Sequence, residues 1–86
     1  MENATLAHEL LRLARELAAH GDNLYRVRAY RQAAAALFVL DRPVSNILSA
    51  EGVRGLRAVP NIGPSLAKTI AALVETLSVP VGSRAG

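Results

Sequence analysis

No cysteine and no tryptophan occur in these 86 residues, and only two tyrosines and one phenylalanine supply aromatic rings. Without cysteine, neither a disulfide frame nor a thiolate zinc site can hold the domain together. The same absence suits a reducing compartment, and the chain is expected to be cytoplasmic. With Tyr25, Tyr30 and Phe38 as the only rings, the core must be built from Leu, Val, Ile and Ala, so its helices must approach closely. No apolar run comes near the roughly 20 residues of a membrane span, so no membrane association is expected. The N-terminal stretch MENATLAHELL places acids, and no basic cluster, around its apolar residues, so no signal peptide is expected. His8 and His20 lie twelve residues apart and read as surface histidines rather than metal ligands.

What is present is an apolar fraction of 51%, enough for one core and too much for a disordered chain. A domain this small buries only about 60% of its unfolded surface, so residues 1–77 are expected to form a single domain, with 78–86 as a flexible tail. The net charge is +3, and its distribution is uneven. Glu2, Glu9, Glu16 and Asp22 open the chain, whereas Arg26, Arg28, Arg31, Arg42, Arg54, Arg57 and Lys68 dominate its middle. Arginine, whose planar fork suits phosphate oxygens, supplies almost all of the basic charge.

Periodicity predicts an all-α protein, a compact four- to five-helix domain. Leu6, Leu10, Leu13 and Leu17 make one stripe of a helix over about 3–20, capped by Asn3 or Thr5 and ended at Gly21. A second helix is expected over about 23–40, with Asp22 or Asn23 as N-cap and Val27, Tyr30, Ala34, Leu37 and Phe38 on its buried face. Arg42-Pro43 breaks it. Short helices are expected over 44–50 and 53–58, separated by Gly52. The last begins at Pro64, where a missing N–H costs nothing, and buries Leu66, Ile70, Leu73 and Leu77.

Between these last two helices lies the most informative stretch, Val59-Pro60-Asn61-Ile62-Gly63. An apolar residue flanked by turn-formers suggests a tight hairpin. Gly63 is expected to supply positive φ, with Asn61 the next-best residue for it. Ile62 would pin the turn inward, and Ala67 would let the paired helices approach. Such a turn feeds a helix N-terminus, whose free N–H groups and partial positive charge attract an anion. It grips phosphate and reads no base edge. Two helices joined by a Pro/Gly turn are also an ordinary packing unit, and Pro64 removes one N–H that could have contacted phosphate.

The string Gly21-Asp22-Asn23-Leu24-Tyr25-Arg26-Val27-Arg28-Ala29-Tyr30-Arg31-Gln32-Ala33-Ala34, then Pro43-Val44, then Val59-Pro60-Asn61-Ile62-Gly63 resembles the N-terminal helix-hairpin-helix domain of bacterial family X DNA polymerases. That domain is similar in turn to the lyase domain of eukaryotic polymerase beta. The resemblance covers roughly residues 3–77. It implies sequence-nonspecific DNA-backbone binding through residues 59–63. It also implies a monovalent cation, Na+ or K+, held by the carbonyls of Arg57, Val59 and Ile62. The departures are informative. The usual Gly-x-Gly turn here reads Asn61-Ile62-Gly63, and Pro64 follows it. These residues include no polymerase palm, so no polymerisation is expected of them. The lysine that forms a Schiff base in the eukaryotic relatives is matched by Thr69, and a supporting lysine by Ser65. Lys68 sits one residue away, a rotation of roughly 100° about the helix.

The expectation is therefore a DNA-binding module with no catalytic residue. Its DNA-binding candidates are Arg54, Arg57, Asn61, Gly63, Ser65 and Lys68, with Arg28 and Arg31 as a second phosphate face or a solvated helix surface. Tyr30 reads as a core tyrosine with its hydroxyl at the edge. A monomer is expected, serving as an accessory in DNA repair or replication alongside a larger protein. Two alternatives stand beside this: an abasic-site lyase using Lys68, and a protein-interaction domain that has lost DNA binding. An apolar patch over the hairpin would favour the latter.

Overall fold

The computed structural model describes residues 2–78. They form five α-helices and no strand: α1 (Glu2–Ala19), α2 (Leu24–Val39), α3 (Val44–Glu51), α4 (Val53–Arg57) and α5 (Pro64–Ser78). The expected tail falls almost entirely in 79–86, outside the described residues. No helix among those described is long and apolar enough to cross a membrane.

Local chemistry sets the boundaries of α1 and α2. Gly21 (φ 74°) ends α1 in a Schellman turn, in which Asp22 N–H donates to Leu17 O at 2.9 Å and Gly21 N–H to Ala18 O at 3.1 Å. Only a residue without Cβ takes that left-handed position freely. Asn23 then caps α2, its side-chain oxygen accepting from Tyr25 N–H at 2.7 Å. The short connection folds α2 back antiparallel onto α1, with Phe38 meeting His8 edge-on at 5.3 Å between ring centroids.

α3 is capped from a distance. Pro43 at its N-cap has no capping side chain, so the first amides need partners from elsewhere. Asn3 Oδ1 accepts from Val44 N–H at 2.9 Å, and Asn3 Nδ2 donates to Arg42 O at 2.7 Å. Glu2 accepts from both Ser45 N–H (2.6 Å) and Ser45 Oγ (2.8 Å). Asn3 is thus not the cap of its own helix, as local sequence suggested, and Thr5 lies inside α1. The start of α1 instead supplies the N-cap that α3 lacks. α3 and α4 approach so closely that a Cβ at Gly55 would lie 2.6 Å from Ile47 Cγ2. Only glycine fits there.

One core joins all five helices: Leu6, Ala7 and Leu10 of α1, Ala33, Ala34 and Leu37 of α2, Val44 and Ile47, Leu56, and Leu66, Ala67 and Ile70 of α5. Fully burying each Leu or Ile contributes about 1.5–3 kcal/mol. The buried edge of α1 is Leu6, Ala7, Leu10 and Ala14, not the all-leucine stripe. Leu13 and Leu17 are half-buried, as are Tyr30 and Leu73. The reason is the alanine content. Ala7 and Ala14 let the backbones draw near, and the larger leucines turn to the margin. Phe38 and Leu77 were expected inside, yet each is 47% exposed. Both sit near the ends of their helices, with less protein over them.

Candidate nucleic-acid interface

The hairpin is built from α4, a tight turn and the start of α5. After Arg57, Val59 N–H donates to Leu56 O at 3.0 Å, and Ile62 N–H donates to Val59 O at 3.1 Å. Asn61 takes φ 72°. Proline second and a left-handed residue third, closed by that bond, is the signature of a type II turn. Ile62, 2% exposed, anchors the turn in the core. Gly63 is not in the left-handed region, contrary to the reading that made it the positive-φ residue. Pro60 and Asn61 complete the turn before the chain reaches it. Apart from its two chain neighbours, nothing among the described residues lies within 4 Å of where a Gly63 Cβ would be.

Gly63 opens α5, its carbonyl accepting from Ala67 N–H at 2.8 Å. Pro64 has no N–H to offer. The amides of Gly63, Ser65 and Leu66 donate to no acceptor among the described residues. Gly63 and Ser65 are exposed. The turn therefore presents free donors beside an empty space, at the positive end of a 15-residue helix.

Arg54 and Arg57 stand next to it. With Ala58 and Pro64 they line an open depression of about 470 Å3. Lys68 is exposed one turn beyond Pro64, on the same side of α5. None of these three cations is ion-paired among the described residues. Arg12 differs: it bridges Glu9 and Glu16, with 2.6 Å to the latter. Its hydrogen bond to Glu9 holds that carboxyl below the usual range. The basic charge of α1 is thus partly neutralised, while that of the hairpin is free.

Of the residues singled out from sequence, Arg54, Arg57, Asn61, Gly63, Ser65 and Lys68 are brought to this one corner. Arg28 and Arg31 are not. They are exposed on α2, which packs mainly on α1 and has no substantial contact with α4 or α5. The free N–H groups at the start of α5 are expected from sequence and Ser65 is among the candidates, whereas Leu66, whose amide is also without an acceptor among the described residues, is not. Pro64 at the first helical position is its signal, since that proline fixes where α5 begins. Thr69 is half-buried, its hydroxyl donating to Ser65 O at 3.1 Å. Tyr30 lines a small depression with Leu13, Glu16, Leu17 and His20. The carbonyls of Arg57 and Ile62 accept no hydrogen bond among the described residues, and Val59 O accepts one. No group of three His, Asp or Glu side chains able to hold a metal occurs among the described residues.

A family model described as a helix-hairpin-helix domain matches residues 1–78. No curated protein and no solved structure matches the chain.

Proposed function

The chain belongs to the helix-hairpin-helix domain family, and on that premise we propose that it binds DNA through backbone phosphates without reading sequence. Domains of this family generally bind DNA nonspecifically. The observation that carries the reading for this chain is the set of free amides at Gly63, Ser65 and Leu66, beside unpaired Arg54 and Arg57. A phosphate oxygen placed there accepts charge-assisted hydrogen bonds from backbone donors that need no rearrangement. Gly63 adds the missing piece. With neither a left-handed φ nor a close neighbour to require it, its lack of a side chain has its use outside the fold, where a phosphate approaches the backbone.

A monovalent cation fits the same turn. The free carbonyls of Arg57 and Ile62, with Val59 O, are the donor set such an ion takes, and it would add positive charge facing the phosphate. The finer placement, in the family X polymerase lineage and as an accessory to repair or replication, rests on the string 21–34 and belongs to this proposal.

Neither alternative has comparable support. A lyase needs a nucleophilic amine activated by burial or by a cationic neighbour, yet Lys68 is exposed, and the position that matches the eukaryotic relatives' lysine is Thr69, whose hydroxyl donates to Ser65 O. A protein-docking hairpin needs an apolar surface. Among the described residues, none of the large apolar side chains that are exposed, Leu24, Tyr25, Phe38, Val39 and Leu77, belongs to the turn or to the helix ends that flank it. Titrating the labelled protein with unrelated duplexes tests the reading. The amide resonances of Gly63, Ser65 and Leu66 are expected to move most, and to the same extent with each sequence. Shifts confined to α2, or none, would overturn it.

A further inference from the structure

The depression beside the hairpin continues past Ala58. A second one, of about 360 Å3, shares Arg54 and Ala58 with it and is lined further by Glu51 and Gly55. The two border each other at Arg54 and Ala58, so that the groove beside α4 has Pro64 on one side and Glu51, at the end of α3, on the other. The Glu51 side chain lies across α4 at Gly55: a Cβ built on that glycine would sit 2.8 Å from Glu51 Oε1. The other oxygen, Oε2, accepts from Arg42 Nη1 at 3.3 Å. Arg42 is held in turn, its carbonyl accepting from Asn3 Nδ2 at 2.7 Å. A carboxylate therefore stands beside Arg54 in the lining, with Arg57 further along, and a guanidinium from the α2–α3 connection lies against it.

As a stabilising contact this pair counts for little. Both side chains are about half exposed, 46% and 50%, and such surface pairs contribute little to folding. Its position suggests another use. We propose that Glu51 limits the affinity of the groove for DNA, and that Arg42 acts through Glu51, holding the carboxylate back from the phosphate rather than contacting phosphate itself. The inference rests on the hairpin reading above. Glu51 is the affinity-determining residue and Arg42 its positioning partner. A phosphate about 8 Å from an uncompensated carboxylate in a watery groove loses about threefold in affinity, and less as salt screens the charge.

The test is a double-mutant cycle on duplex binding at low salt, with thermal midpoints measured alongside. Glu51→Gln keeps the side chain over Gly55 and is expected to tighten binding about twofold in the parent, where Arg42 partly compensates the carboxylate, and about threefold once Arg42 is Gln. Glu51→Lys doubles the change in charge and should tighten it about fourfold. Arg42→Gln is expected to weaken binding about twofold in the parent, and by less than about 1.5-fold once Glu51 is Gln. All of these differences should shrink in high salt. Equal weakening by Arg42→Gln in both backgrounds would make Arg42 a direct phosphate contact and overturn the proposal. So would unchanged affinity in both Glu51 variants. Arg57→Ala and Gly63→Ala keep the two readings apart. If both bind like the parent, the hairpin reading fails and this one with it. If they weaken binding while the Glu51 variants do not change it, this one alone fails.

Discussion

Replacing Gly63 by alanine separates folding from binding more cleanly than any other single change in this molecule. The added methyl meets no atom within 4 Å among the described residues beyond its chain neighbours, and the residue is not in the left-handed region. Stability should therefore change by less than about 0.5 kcal/mol, the usual range for an unhindered surface substitution. It can even rise, since alanine narrows the unfolded ensemble by about 0.4–1 kcal/mol. Binding is a different matter. A methyl group over the amides of Gly63, Ser65 and Leu66 holds a phosphate off their donors. Losing one charge-assisted hydrogen bond costs about 1.5–3 kcal/mol, or roughly 10- to 100-fold in affinity. The assay is a fluorescence-anisotropy titration of a short duplex beside a melting curve of the same sample. The expected result is a loss of binding with an unmoved or raised midpoint. Unchanged binding would mean that nothing approaches the backbone at Gly63, and the argument from its missing side chain would collapse. Asn61→Ala gives the converse pattern. It must hold φ 72° without the polar side chain that tolerates it, and should cost about 1–2 kcal/mol of stability.

Three further outcomes are expected. Leu10→Ala and Ile70→Ala, each at a fully buried position, should cost about 2–5 kcal/mol in chemical denaturation, and Leu13→Ala distinctly less because it is half-buried. Because Arg12 holds the Glu9 carboxyl below its ordinary value of 4.5, the pair stabilises the fold above that pH and its small contribution fades as pH falls through the lowered value; Arg12→Ala should flatten the acid limb of the stability profile, and an unchanged limb would remove the pair from the account. Borohydride trapping on abasic DNA should give no adduct beyond that of Lys68→Ala, whereas a strong adduct lost in that variant would restore the lyase alternative.

Much of the architecture was legible because punctuation and periodicity agreed. Gly21, Asn23, Pro43, Gly52 and Pro64 mark helix ends that the structure places within a residue or two, and each does so for a local reason. What failed was non-local or too finely angular. The Leu6–Leu17 stripe followed the large residues alone. Buried Ala7 and Ala14 then rotated the contact edge, a choice that depends on the α2 alanines facing them. Asn3 has the chemistry of an N-cap, but its partner is Val44, 41 positions away, and no local pattern records that. At the hairpin the residue types were legible and their roles were exchanged. Asn61 carries the left-handed conformation, and Gly63 is left open toward solvent. The clustering of Arg54, Arg57 and Lys68 followed from their nearness to the turn. The separation of Arg28 and Arg31 from it depended on how α2 packs.

The central claim, that this corner grips the backbone by charge, is tested most directly by the salt dependence of binding. If, as proposed, Arg54, Arg57 and Lys68 together neutralise about three phosphates, the slope of log affinity against log salt should be near −2.7 on duplex DNA. That slope should be the same for unrelated sequences, because phosphate contacts carry no base information. Arg57→Ala should bring it to about −1.8, while Arg15→Ala, on the exposed side of α1, should leave it where it was. A slope that Arg57→Ala does not change, or that differs between sequences, would contradict the account.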